Sequence, residues 1–100
     1  MMIVEYVRYR IPESRSDEFE AAYKKAAGDL LKSVYCQHYE ISRCVEEPEL
    51  YTVRIEWDSL ESHMQGFRKS QEFRDFFVHV RPFFKQIEEM QHYEVLATSK

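Results

Sequence analysis

The sequence predicts an α+β fold in the order βαββαβ. Apolar residues alternate with polar ones in four stretches, helical spacing fills the two longer intervals, and the changes of period fall at Pro, Ser or acidic turn signals.

Residues 2 to 11 form the first strand, with Ile3, Val7, Tyr9 and Ile11 on one side and Val4, Tyr6, Arg8 and Arg10 on the other, and Pro12 ends it. Ser14 or Ser16 then offers a helix N-cap, and Asp17 and Glu18 suit the positive end of the helix dipole. Phe19, Ala22, Tyr23, Ala26, Ala27, Leu30 and Leu31 follow as one helical stripe. From Val34 to Val45 the period returns to two, with Tyr35, Tyr39, Ile41 and Val45 against Cys36, His38, Glu40 and Ser42. Glu46-Glu47-Pro48-Glu49 turns the chain into a third strand, Leu50 to Trp57.

Ser59 caps a short helix with Leu60, His63, Met64 and Phe67 on one face. Ser70 caps the next, whose stripe is Phe73, Phe76, Phe77, Val80, Phe84 and Ile87. Pro82 supplies no N–H to the preceding turn and should kink or break that helix. Residues 89 to 97 read as the fourth strand.

This order fits a ferredoxin-like antiparallel sheet with both helices on one face, in a single domain spanning residues 1–100. The more apolar parity puts Tyr93 and Val95 with the helices. It puts His38, His92, Glu94, Arg8, Arg54, Glu40 and Glu56 on the open face with Val4, Tyr6 and Cys36. A face that mixes Val, Tyr and Cys with opposite charges suits a sheet-on-sheet homodimer better than water. There His38 and His92 would bond Glu40 or Glu94, and Arg8 and Arg54 would pair with nearby glutamates.

Composition narrows the function classes. Lys and Arg number 14 against 18 Asp and Glu, and the net charge of −4 repels a phosphate backbone, so no nucleic-acid partner is expected. Glu5, Arg8 and Arg10 interrupt any signal-peptide core, and no apolar run reaches membrane-spanning length; a cytoplasmic protein without a membrane partner is expected. Cys36 and Cys44 on one strand would stand about 26 Å apart, too far for a disulfide, and no Cys/His motif suggests a metal. No Gly-rich phosphate loop, nucleophile elbow or HExxH motif occurs.

Trp57-Asp58-Ser59, the following Glu61, and Ser70-Gln71-Glu72-Phe73 lie at spacings that resemble the antibiotic biosynthesis monooxygenase superfamily, over nearly the whole chain. The resemblance implies a dimeric α+β barrel. Members include cofactor-independent oxygenases of quinols and polyketide phenols, haem-degrading enzymes, and proteins of unassigned role. Lys69-Ser70-Gln71-Glu72-Phe73 with His79-Val80-Arg81 is similar to the haem-degrading branch, but the position of its haem ligand holds Phe77, and that of its porphyrin-contacting Trp falls near Gly66 or Phe67. Haem degradation is therefore disfavoured. Several quinol-oxygenase-like relatives carry a His nine residues after the strand Trp, and Gly66 stands there.

A cofactor-free oxygenase needs an apolar cavity and a base for a phenolic O–H. Tyr9, Tyr35, Trp57, Phe67, Phe73, Phe77 and Tyr93 can line such a cavity, or simply fill the core. His63 shares a helix face with Phe67 and is the candidate base beside Trp57; the same placement suits a structural histidine. His79 flanks the aromatic stripe, where it would reach the pocket mouth or only water. Two functions follow as expectations: a homodimeric monooxygenase of a quinol-like or polyphenolic substrate, using no flavin, haem, metal or other cofactor, or a non-catalytic dimeric binding or accessory protein of the same frame.

Overall fold

A computed structural model of the chain describes residues 2–99. Four strands, β1 (Ile3–Arg10), β2 (Cys36–Arg43), β3 (Leu50–Trp57) and β4 (Ile87–Glu94), form an antiparallel sheet in the order β2-β3-β1-β4. Helices α1 (Ser16–Lys32) and α2 (Gln71–Val80) pack together. This is the expected ferredoxin-like architecture. Among the described residues no helix is long and apolar enough to cross a membrane.

The core forms where the apolar parity of β1 and β3 meets the helices. Val7 pairs with Val53 and Tyr9 with Tyr51, and all four are buried. Phe19 of α1 is the hub of the aromatic packing, with ring centroids 4.7 Å from Tyr51, 4.9 Å from Tyr9 and 5.1 Å from Phe83. Such tilted and edge-on pairs add to the gain from burial itself.

The helix starts differ from expectation in one case. Neither Ser14 nor Ser16 caps α1: a short 3-10 turn (Glu13–Arg15) precedes it, Arg15 stands at the N-cap, and the Ser16 hydroxyl donates to the Glu13 carbonyl at 2.9 Å. Asp17 and Glu18 still occupy the first turn, where the helix dipole favours them. Ser59 and Ser70 do cap, accepting from the Ser62 and Phe73 amides at 3.0 and 3.2 Å.

Leu60 and Met64 do not share the buried face with His63 and Phe67; both are exposed. The segment Ser62–Gly66 winds as a π-helix before a 3-10 turn (Phe67–Lys69). The Phe67 amide bonds back to both the Ser62 and His63 carbonyls, and the wider turn carries only His63 and Phe67 inward. Pro82 ends α2 as expected, opening a 3-10 stretch (Arg81–Gln86). Its three-residue repeat turns Phe83 inward after Val80 and leaves Phe84 53% exposed, reversing their expected places. Leu31 of the α1 stripe is also exposed.

The sheet faces need two corrections. Glu5 lies opposite His92 and Val4 opposite Tyr93, so His92 faces the helices and Tyr93 the open side, the reverse of the expected β4 parity. The apolar Tyr93 ring finds its partner on the open face, edge-on to Tyr6 at 5.2 Å. In β2, a register shift between Cys36 and His38 sets Cys36 opposite Trp57, packed on the core side. The open face also carries Arg8 paired with Glu89 at 2.6 Å and Arg54 paired with Glu56.

Candidate active site

A carboxylate on an apolar strand face is out of place unless something offsets its burial. Glu5 is such a group: it follows the parity of Ile3, Val7 and Tyr9, sits between Ile55 and His92, and is 4% exposed. The Trp57 indole N–H donates to its Oε1 at 3.3 Å. Even so, burial holds its pKa at about 7 against an ordinary 4.5, with the Trp57 hydrogen bond and the nearby Arg68 charge only partly opposing.

His63, 3% exposed, lies against both partners. Its ring stacks on Trp57 at 4.3 Å and 10°, and its Nε2 is 3.6 Å from Glu5 Oε1. On its other side Nδ1 faces His92 Nε2 at 2.6 Å, so one of these nitrogens carries a proton shared with the other. Burial, then the neighbouring His92 and Arg68, lower the His63 pKa from 6.5 to about 3. Burial also lowers that of His92. Both imidazoles are therefore neutral near pH 7.

Beside this group opens a cavity of about 80 Å³, lined by Glu5, Val7, Tyr9, Tyr23, Trp57, His63, Phe67, Arg68, Phe73, Phe77, Phe84 and Met90 among others. Its wall is apolar apart from the acid, the imidazole, two phenols and one guanidinium. The Tyr9 and Tyr23 hydroxyls face each other at 3.3 Å, and burial raises the pKa of Tyr9 to about 12. Arg68 lies over the Phe73 ring at 5.1 Å.

Of the residues singled out by sequence, Tyr9, Trp57, His63, Phe67, Phe73 and Phe77 come together here. Three do not. Tyr93 is on the far side of the sheet, its hydroxyl donating to Glu89 at 3.0 Å. His79 turns to α1, with Nε2 3.6 Å from Asp29. Tyr35 covers Gly66: a Cβ there would lie 2.6 Å from its ring, so glycine leaves room for this tyrosine. Glu5, His92, Tyr23 and Arg68 escaped the sequence reading. Glu5 had one legible signal, its place on the buried parity, whereas His92 followed from the misassigned face of β4.

The chain is thus a small α+β domain with an ionisable pair at the end of an apolar pocket. Residues 2–78 match the family model for antibiotic biosynthesis monooxygenase, and the chain belongs to that family. It is similar to the uncharacterised protein YczJ of Bacillus subtilis, 29% identical over 93 residues, spanning 93% of this chain and 98% of that one. In structure it is similar to SnoaB, a cofactor-independent oxygenase from Streptomyces nogalater, with TM-score 0.79, 12% identity, and coverage of 97% and 95% of the two chains. A conserved protein from Methanosarcina mazei aligns with TM-score 0.76 at 23% identity over 93% of this chain and 91% of its own. At these identities the structural likeness shows the fold.

Proposed function

We propose that this protein is a cofactor-independent monooxygenase of a single-ring, quinol-like phenol, in which the Glu5–His63 pair takes the phenolic proton. The observation that carries this reading is the buried carboxyl and imidazole, backed by Trp57, at the wall of an apolar pocket. Family membership agrees with it.

A base works best with a pKa near the working pH, and Glu5, raised to about 7, is better tuned than His63 at about 3. Glu5 accepts the proton, His63 Nε2 orients the hydroxyl, and the Arg68 charge offsets the phenolate. The phenolate passes one electron to O₂, giving a phenoxyl radical and superoxide. These join through a new C–O bond, and the hydroperoxide loses water to leave C=O. One oxygen atom enters the product, the other leaves in water, and the substrate supplies both electrons.

The cavity limits substrate size. About 80 Å³ is less than the roughly 150 Å³ that takes a benzene ring, so one ring enters only as Phe84 swings outward. Fused polyphenols are disfavoured on that ground. Oxygen uptake with a panel of single-ring hydroquinones, and with anthrones as fused-ring controls, tests the proposal. One O₂ per quinol is expected, with kcat falling about a hundredfold in Glu5→Gln and His63→Ala. No uptake above buffer, or both variants matching the parent, would overturn it.

A non-catalytic binding protein is the second reading, favoured by the small cavity and by the commitment of His63 Nδ1 to His92. It predicts thermal stabilisation by the same phenols without oxygen uptake. Either protein is a homodimer through the open sheet face, where Tyr6 and Tyr93 sit among ionic pairs. Light scattering should give twice the 12.2 kDa chain mass; a monomer at micromolar concentration would remove the dimer from the proposal.

A further inference from the structure

Glu5, His63 and His92 come from β1, the π-helical turn and β4, three separate elements, yet each presents a ligand atom within 4.8 Å of the other two. We infer that they form a binding site for one divalent first-row transition-metal ion, of the zinc or cobalt(II) kind. Two imidazoles and one carboxylate are a donor set for such ions, too hard for copper(I) and too nitrogen-rich for magnesium or calcium.

The geometry is close to what an ion requires. His63 Nδ1 and His92 Nε2 face each other at 2.6 Å, and an ion between them replaces the proton they share. Metal–nitrogen bonds of about 2.0–2.1 Å set neighbouring ligand atoms roughly 3.0–3.4 Å apart, so this pair opens by less than about 1 Å. Glu5 Oε2 stands 4.0 Å from His92 Nε2 and closes by a similar amount through side-chain rotation. Glu5 and His92 are directly paired across β1 and β4, which fixes their backbones at bonding range.

Two further features fit. The Trp57 N–H holds Glu5 Oε1, the kind of outer hydrogen bond that orients a ligating carboxylate. Glu5 and His63 also line the apolar cavity, which gives a fourth ligand such as water room beside them. Arg68 opposes a cation here, and the carboxylate of Glu5 offsets it.

The inference stands apart from the oxygenase reading, since a metal titration needs no substrate; if both hold, bound zinc blocks the proton acceptor and inhibits uptake. Chelator-treated full-length protein is titrated with cobalt(II), followed by visible absorption, and with zinc(II) by calorimetry at pH 7.5. One site per chain is expected, saturating at micromolar metal with d–d bands of a nitrogen- and oxygen-ligated ion. His92→Gln and Glu5→Gln, checked for folding by circular dichroism, should weaken it at least tenfold, and Arg68→Met should tighten it. The double variant His38→Gln/His79→Gln removes histidines outside the cluster and should bind as the parent does. No saturable site below about 100 μM metal, or parent-like binding by His92→Gln and Glu5→Gln, overturns the inference. A silent oxygen-uptake panel leaves it standing.

Discussion

Replacing Glu5 by Gln should stabilise the protein relative to the parent at alkaline pH and lose that advantage in acid. In the fold its carboxyl titrates at about 7, against 4.5 in the open chain. At about 1.4 kcal/mol per tenfold, the folded state favours the protonated acid by about 3 kcal/mol. The sign follows from the direction: a raised pKa contributes fully below about pH 4.5, and the contribution is lost as pH rises through about 7. His63, lowered from 6.5 to about 3, acts oppositely, its contribution present above about 6.5 and lost as pH falls. Between about pH 4.5 and 6.5 the two slopes cancel in the parent. Glu5→Gln retains an acceptor for Trp57 and removes only the alkaline limb. Urea unfolding followed through Trp57, the chain's one tryptophan, at pH 4.5 and 8 with chelator present reads the difference. The stability of Glu5→Gln minus parent should grow by about 3 kcal/mol across that interval. A difference constant to within about 1 kcal/mol would refute a buried, proton-favouring carboxyl.

Gly66→Ala should destabilise the parent by about 1–3 kcal/mol because its Cβ would lie 2.6 Å from the Tyr35 ring. In a Tyr35→Ala background the same change should be neutral or stabilising by up to about 1 kcal/mol, the helical preference of Ala over Gly; equal effects in both backgrounds on urea melts would exclude the contact. Phe83→Ala should cost about 3–5 kcal/mol and Phe84→Ala under about 1 kcal/mol, since Phe83 is buried and Phe84 half exposed. Matched losses would count against the 3-10 turn that separates them. Phe84→Ala should also lower the KM of any active quinol by opening the pocket mouth, measured in the oxygen-uptake assay.

What the sequence made legible was periodicity. β3 appears at its expected bounds because Leu50 to Trp57 alternates without interruption, its odd-numbered side chains all buried. α2 ends beside Pro82, and Ser59 and Ser70 cap where they should, because each effect is local to a few residues. The failures fall where winding or register departs from the ideal repeat. A π turn removed Leu60 and Met64 from the buried face, a 3-10 turn exchanged Phe83 for Phe84, and a β-bulge turned Cys36 inward.

The β4 error mattered most for the site. Choosing the face by hydrophobicity alone set Tyr93 with the helices, yet an aromatic ring can bury its area against Tyr6 on the open side as readily as in the core. That choice hid His92, and with it the reason a carboxylate could occupy the inner face of β1. Glu5 is tolerated there because Trp57 donates to it, burial delays the loss of its proton until about pH 7, and imidazoles from two other elements close around it. Polar groups this deep are retained only when partnered, so Glu5, whose partner across the sheet is His92, was missed along with it. His63 alone on an aromatic face is compatible with simple packing; its place between a buried acid and a second imidazole is what supports the proposed proton-handling role, and substitutions at Glu5 test that proposal more sharply than substitutions at His63, whose loss also removes the ring stacked on Trp57.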